Sequence, residues 1–155
     1  MTLLADWLVE SPFENDRGET VSAAIDTVAS ATDADVVVFP YWGALEEHVY
    51  AHLLDAEFDA LGFDLISNHD ENVYNAQEYG TTDDVALGVV DGQNTRIESP
   101  ETVRERIDWF EGQTPVESYG TVYASSNVEL AYLPENKFKE KLAVLGEATK
   151  QEVVA

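Results

Sequence analysis

The chain of 155 residues contains no cysteine and very few basic residues. The absence of cysteine excludes disulfides, thiolate nucleophiles and cysteine-ligated metal centres. Eight Lys and Arg against 31 Asp and Glu give a formal net charge of −23. This charge argues against a general nucleic-acid binder, because phosphate contacts need basic side chains, and against docking on anionic membranes. No apolar run approaches the about 18 residues that a membrane-spanning helix needs, so we expect neither nucleic-acid nor membrane partners.

Apolar side chains are plentiful enough for a folded core. Hydrophobic residues make up 45% of the chain and aromatic residues 10%, which excludes a disordered chain. Concentrated salt shortens the range of charge repulsion to a few ångströms, so an acidic surface of this kind is tolerated there. The composition resembles that of proteins from haloarchaea and their viruses. The resemblance implies a halophilic source, and either the cytoplasm of a halophilic host or a virion as the location. The N-terminal Met1–Asp6 has no basic segment, which predicts no secretory signal peptide.

The hydrophobic pattern predicts an α/β to α+β fold. We expect a single domain over residues 1–155, with a mixed sheet of about five to seven strands covered by about four helices. The β-branched run Asp35–Phe39 is typical of a buried strand, and Val85–Val90 reads as another strand. Ser99 followed by Pro100 is a strong signal for a helix start. The segment Asn68–Gly80 is polar and predicts no regular element.

The basic residues are distributed unevenly along the chain. All four lysines lie in the last nineteen residues, and from Glu135 onward four lysines balance four glutamates, so residues 1–134 carry the whole net charge. We expect residues 136–155 to form a C-terminal helix that carries these lysines. Ordinary pairing of side chains on one exposed helix explains the pattern, and so does docking of the helix on an acidic neighbour. The residues predicted for such an interface are Lys137, Phe138, Lys141, Leu142 and Leu145.

A helix predicted over Ala44–Leu61 places two histidines and two aspartates on one face. His48 and His52 are four residues apart, and Asp55 and Asp59 follow on the same side. Imidazole and carboxylate groups both bind zinc or manganese, so this face is either a metal or catalytic site or a surface that faces solvent or a partner.

Two short segments resemble known enzyme families. The stretch Pro40–His48 resembles the metal-binding segment of creatininase amidohydrolases, which implies metal-ligand roles for Glu46 and His48. The match covers about nine residues and departs after His48. The stretch Ala34–Tyr41 is similar to a nitrilase strand, but Tyr41 replaces the general base and the nucleophilic cysteine is absent, which excludes nitrilase activity. We call Glu46, His48, His52 and Asp55 the candidate metal set.

Tyr41 and Trp42 follow the strand predicted at Asp35–Phe39. Tyrosine and tryptophan are frequent at interfaces, and α/β proteins bind ligands at the carboxyl ends of strands. The sequence therefore predicts a non-enzymatic assembly or interaction protein of a halophile, such as a structural component of a haloarchaeal virus particle. Its expected partners are proteins, including copies of itself, and it needs no cofactor. The alternatives are a metal-dependent amidohydrolase-like enzyme that uses the candidate metal set with zinc or manganese, and a small-molecule-binding domain with a pocket around Tyr41 and Trp42.

Overall fold

The computed structural model describes residues 2–4 and 18–150. For residues 2–4 it describes the backbone alone. The strands are β1 (Thr2–Leu4), β2 (Val37–Phe39), β3 (Ala60–Asp64), β4 (Asp84–Val90) and β5 (Val122–Ser126). The helices are α1 (Gly18–Ala29), α2 (Glu47–Leu53), α3 (His69–Tyr79), α4 (Pro100–Gln113) and α5 (Glu135–Ala148), with a short 3₁₀ turn at Leu130–Tyr132. Within these described ranges no helix is long and apolar enough to cross a membrane.

The five strands form one parallel sheet in the order β1-β2-β3-β4-β5. Spatial order follows sequence order, so every crossover steps in the same direction along the sheet. Because crossovers between parallel strands are almost always right-handed, this order places the helices on a single face. The α/β class is therefore confirmed. The predicted mixed sheet is wrong, because all four strand pairings are parallel and each passes through a helical crossover rather than a hairpin.

The main core lies between that face of the sheet and the helices. Alternate residues of the central strands point into it, among them Leu61, Phe63 and Leu87, none of which is exposed. Each helix adds an apolar stripe, and the sheet and helices together bury one contiguous cluster. The contributing helix residues are Val21, Ile25, Val49, Tyr50, Leu53, Val73, Ala76, Val103, Phe110, Leu145 and Ala148.

Local signals place α4 as the sequence predicts. The Ser99 hydroxyl accepts a hydrogen bond from the backbone N–H of Thr102 at 3.2 Å, and Pro100 is the first helical residue. A serine cap satisfies a backbone donor that the first helical turn leaves unpaired. The strand at Val85–Val90 is confirmed with one more residue at its start.

The helix predicted over Ala44–Leu61 is wrong in its extent. α2 covers Glu47–Leu53 only, and residues from Ala60 onward form β3, which is completely buried between β2 and β4. A short apolar run suits a helix or a buried strand equally, and here pairing with two neighbouring strands decides. The polar segment Asn68–Gly80 forms α3, which buries two asparagines rather than an apolar stripe alone.

Candidate functional site at the carboxyl edge of the sheet

Buried polar side chains meet where the central strands end. Parallel strands all end at the same edge of their sheet, and ligands of α/β proteins bind at this carboxyl edge. β3 ends at Asp64, and Asn127 follows β5 directly. Neither side chain has any exposed surface. Polar groups buried in this way require hydrogen-bond partners, and the two residues supply them to each other.

Asp64 and Asn127 form one cluster with Ser67. The Asp64 Oδ1 atom accepts hydrogen bonds from the backbone N–H groups of Ile66 and Ser67, both at 2.9 Å. The Asn127 Nδ2 atom lies 3.4 Å from Asp64 Oδ2 and 3.4 Å from the Ser67 hydroxyl oxygen. Ser67 is the exposed member. The cluster therefore links a buried carboxylate to a hydroxyl that a ligand can reach.

Gly88 allows the cluster to form across β4. A Cβ atom at this position would lie 2.7 Å from the Asn127 Cα atom, so only glycine lets that backbone approach. Asn127 is held from its other side, because its Oδ1 atom accepts the backbone N–H of Gly92 at 2.9 Å. The orientation of the Asn127 amide is thus fixed by both neighbouring segments.

A strained loop after β2 borders the same edge. Trp42 has a φ of 71°, which is unfavourable for a residue with a side chain, and its side chain is 42% exposed. The buried Asn72 of α3 holds this loop in place. Its Nδ2 atom donates to the Gly43 carbonyl at 3.2 Å and to the Asp64 carbonyl at 2.8 Å. Strained backbone that surrounding bonds hold in this way is typical of functional sites.

Tyr41 supplies an aromatic hydroxyl near this edge. Its ring packs edge-on against Phe39, with 5.0 Å between the ring centroids. Burial, and next to it the negative charge of Glu129, raise the pKa of Tyr41 above its usual value. The hydroxyl therefore stays protonated at neutral pH and can donate a hydrogen bond.

The candidate metal set forms two pairs. His48 Nδ1 lies 3.5 Å from Glu46 Oε2, and His52 Nδ1 lies 3.8 Å from Asp55 Oδ2. The first pair lines a cavity of 570 Å³ between α2 and α3. The second faces α1, where a Cβ atom added at Gly18 would overlap the His52 ring. In the part of the chain that the structure describes, no group of three or more His, Asp or Glu side chains is arranged to hold a metal. Zinc or manganese binding by this set stays a prediction.

Asp55 and Asp59 leave the predicted stripe because α2 ends before them. Asp59 instead accepts the backbone N–H of Val36 through Oδ2 at 2.6 Å and fixes the start of β2 and β3. The carboxylate therefore has a structural role at the amino edge of the sheet.

The lysine-bearing helix packs on its own domain. Lys141 has no exposed surface and binds the Arg96 carbonyl and the Glu98 carboxylate, so it is not available to a partner, contrary to the prediction. Leu145 is buried with it, whereas Leu142 is 46% exposed. The helix turns Lys141, Leu145 and Ala148 towards its own domain, so Lys141 and Leu145 are not exposed to a partner. The helix ends at Ala148, and residues 151–155 lie outside the described part.

Lys137 and Lys139 pair with glutamates along the helix itself. Lys137 lies 2.7 Å from Glu140, and Lys139 lies 2.5 Å from Glu135. These are the ordinary pairs at three- and four-residue spacing that the sequence offered as one explanation. Phe138 is half-buried, and contact of Lys137 or Phe138 with a partner stays a prediction.

The sequence analysis did not select the cluster at the carboxyl edge. The available signal was the position of Asp64 and Asn127 directly after apolar strand segments. That signal needs the correct strand ends, and the helix predicted over Ala44–Leu61 overlaps the start of the strand that ends at Asp64. Asn72 lies in the segment for which no element was predicted, so its role in holding the loop was also missed.

A family model matches residues 8–114, which is more than half of the chain. The family is the cobalamin-independent synthase, N-terminal domain. The chain belongs to this family. The match extends from before α1 to the residue after α4, so it includes Asp64, Ser67 and Asn72, whereas Asn127 lies beyond it.

Comparison with solved structures agrees on the fold. The structure of a B12-independent methionine synthase from Shewanella sp. W3-18-1, in complex with selenomethionine, is similar with a TM-score of 0.69 and 14% sequence identity. The alignment covers 95% of this chain and 46% of that chain, so this chain spans about half the length of the solved relative. A search of curated proteins gave no match.

Family membership corrects the functional predictions. The composition pointed to a halophilic source without a functional family, whereas the family match assigns the chain to a defined enzyme family. The prediction of a non-enzymatic structural component of a virus particle is wrong for the same reason, and nothing supports a virion location. The amidohydrolase-like alternative is also wrong, since the nine-residue resemblance is outweighed by a match over residues 8–114. The second alternative, a small-molecule-binding domain without a family, is corrected by the same match, which assigns the chain to a synthase family.

Proposed function

We propose that this chain forms the substrate-holding part of a cobalamin-independent methionine synthase, and that it holds a methionine-type amino acid at the carboxyl edge of its sheet. The observation that carries the proposal is the cluster of Asp64, Ser67 and Asn127 at that edge. The solved relative of the same fold is described as a complex with selenomethionine. The proposal covers binding, because this chain spans less than half of that relative. A cytoplasmic location, where free amino acids are available, is part of it.

The cluster suits a zwitterionic ligand. The Ser67 hydroxyl can donate to a carboxylate or accept from an ammonium group, while Asp64 adds a negative charge behind it. The protonated Tyr41 hydroxyl and the exposed Trp42 ring offer a donor and an apolar surface at the same edge. Such a combination of apolar walls with a few oriented polar groups is typical of small-molecule sites.

Thermal unfolding with added amino acid tests the proposal. L-methionine at about 100 times its dissociation constant should stabilise the chain by about 2.7 kcal/mol, and D-methionine serves as the stereochemical control. Ser67→Ala should weaken binding about fivefold, which is the value of one hydrogen bond of about 1 kcal/mol. Ser30→Ala, at an exposed serine of the amino edge, is the matched control and should leave binding unchanged. Equal shifts with both stereoisomers, or none with L-methionine, would contradict the proposal.

A further inference from the structure

The cavity between α2 and α3 has a wall of carboxylates without a lysine or arginine. It measures 570 Å³, and Glu46, Glu47 and Glu71 all line it. Glu46 lies 3.5 Å from His48, so it has a partner within the protein. Among residues 18–150, no basic side chain lies within ion-pair distance of Glu47 or Glu71. We call this the α2–α3 cavity, and two of its carboxylates are available to a cation.

Two tyrosine rings of α3 lie beside these carboxylates. Tyr74 lines the cavity and is 45% exposed, and the Tyr79 hydroxyl donates to Glu47 Oε2 at 2.8 Å. The negative charge of Glu47 is the main cause that raises the pKa of Tyr74, which reflects how close this carboxylate is to the ring. The face of an aromatic ring attracts a cation. The rings and the carboxylates therefore favour the same kind of ligand.

Asn75 adds an amide oxygen without a partner to the wall of the cavity. The residue is 2% exposed and lines the cavity. Its Nδ2 atom donates to the Leu45 carbonyl at 2.8 Å, and because a carbonyl only accepts, this bond fixes the orientation of the amide. Within the described ranges no group donates a hydrogen bond to the Asn75 Oδ1 atom. A buried acceptor of this kind requires a donor, which a ligand in the cavity can supply.

We propose that the α2–α3 cavity binds a linear organic diamine, with one ammonium group at Glu47, the other at Glu71, and the Tyr74 ring beside them. Carboxylate oxygens and the free amide oxygen of Asn75 accept hydrogen bonds and cannot donate them. The ligand must therefore bring the donors, and each alkylammonium group brings three together with its positive charge. Two carboxylates without an ion pair match the two charges of a diamine.

The size of the cavity and its lining favour this ligand over a metal ion. Sites for small molecules measure about 300–1,000 Å³, and the α2–α3 cavity lies within this range. In the part of the chain that the structure describes, no three His, Asp or Glu side chains are arranged to hold a metal. The alkyl chain of a diamine can in addition contact apolar atoms of Ala44 and Tyr74, which line the same space.

Isothermal titration calorimetry of the full chain with 1,4-diaminobutane tests the proposal. Mg²⁺ is the control ligand, because it has the same charge of two and no N–H donor. In 1 M KCl the Debye length is about 3 Å, so attraction by distant carboxylates is suppressed while contacts inside the cavity remain. The diamine should bind at least about tenfold more tightly than Mg²⁺, which is the value of one charge-assisted hydrogen bond. A diamine that binds no more tightly than Mg²⁺ would overturn the proposal, because the net charge alone would then explain the binding.

Matched variants locate the binding. Glu71→Gln keeps the shape of the side chain and removes its charge, and it should weaken diamine binding about tenfold. Tyr74→Leu removes the aromatic face and should weaken binding about two- to fivefold. Asp33→Asn is the control, because it removes one charge from another acidic cavity, of 500 Å³, that no tyrosine lines. This control should change binding less than about twofold.

Circular dichroism checks that the three variants are folded. Equal weakening by Glu71→Gln and Asp33→Asn, or unchanged binding in Tyr74→Leu, would contradict binding in the α2–α3 cavity. The titrations contain no methionine, so their result is separate from that of the methionine test.

Discussion

Replacement of Lys141 by methionine tests the most buried ion pair in the described structure. The Lys141 side chain has no exposed surface, and its Nζ atom lies 2.9 Å from Glu98 Oε2. The Glu98 side chain is 9% exposed. Lys141→Met keeps an unbranched side chain that is one atom shorter, but it leaves the Glu98 carboxylate buried without its ammonium partner.

The expected loss follows from the remaining partners of Glu98. Breaking a buried pair by removing one partner costs about 3–5 kcal/mol. Glu98 keeps a hydrogen bond from the backbone N–H of Asp91 at 3.0 Å and a distant contact with Arg106 at 4.0 Å. These contacts place the expected loss at the lower end, about 3 kcal/mol. For a chain of this size, that loss lowers the melting temperature by about 6–12 °C.

The measurement is urea unfolding followed by circular dichroism at constant salt. Lys139→Met is the matched control, because Lys139 pairs with Glu135 on the same helix while both side chains are largely exposed. An exposed pair contributes less than about 1 kcal/mol, so this variant should change stability little. Equal losses in the two variants would refute the conclusion that Lys141 is buried and paired within its own domain.

Three further predictions concern stability. A Cβ atom at Gly62 would lie 2.5 Å from the Phe39 ring, so Gly62→Ala should destabilise the chain by about 1–3 kcal/mol in the unfolding assay. A Cβ atom at Gly146 in α5 meets open space, so Gly146→Ala should stabilise the chain by about 0.5–1 kcal/mol in the same assay. Burial alone would raise the pKa of Glu98, but hydrogen bonds from a backbone N–H and from Lys141 outweigh burial and lower it. The stabilisation from Glu98 is therefore present above its unfolded pKa of 4.5 and is lost as pH falls through the lower folded pKa. When the free energy of unfolding is measured against pH, Glu98→Gln should reduce the loss of stability at acidic pH. The charge of −23 predicts a lower melting temperature at 0.1 M than at 3 M NaCl, and identical melting curves would contradict this charge argument.

Elements with strong local signals were predictable from the sequence. The cap at Ser99 and the proline after it set the start of α4, because a helix start depends on residues three positions apart. β4 followed from a continuous apolar run. β3 was not predictable in the same way, because the periodicity near Leu61 suits a helix equally well and only pairing with β2 and β4 makes it a strand.

The candidate site could not be assembled from sequence because its members are distant along the chain. Asp64 and Asn127 are 63 positions apart and meet through the register of β3, β4 and β5. The candidate metal set was predicted from residue spacing along one helix. Because α2 ends at Leu53, Asp55 no longer lies on the helix that carries His48 and His52. Residue spacing predicts a shared face only while the helix continues.

By itself the sequence determined the properties that depend on composition or on a few adjacent residues: the absence of cysteine chemistry, the charge of −23 and the cap of α4. The tertiary structure alone decided which side chains are buried together, because burial depends on contacts between distant segments. The sequence predicted Lys141 at a partner surface, whereas the structure buries it beside Glu98. Pairing with the neighbouring strands also places Asp64 at the end of β3. The tertiary structure also left one face of the sheet without helices, since the direction of every crossover is a property of the whole fold.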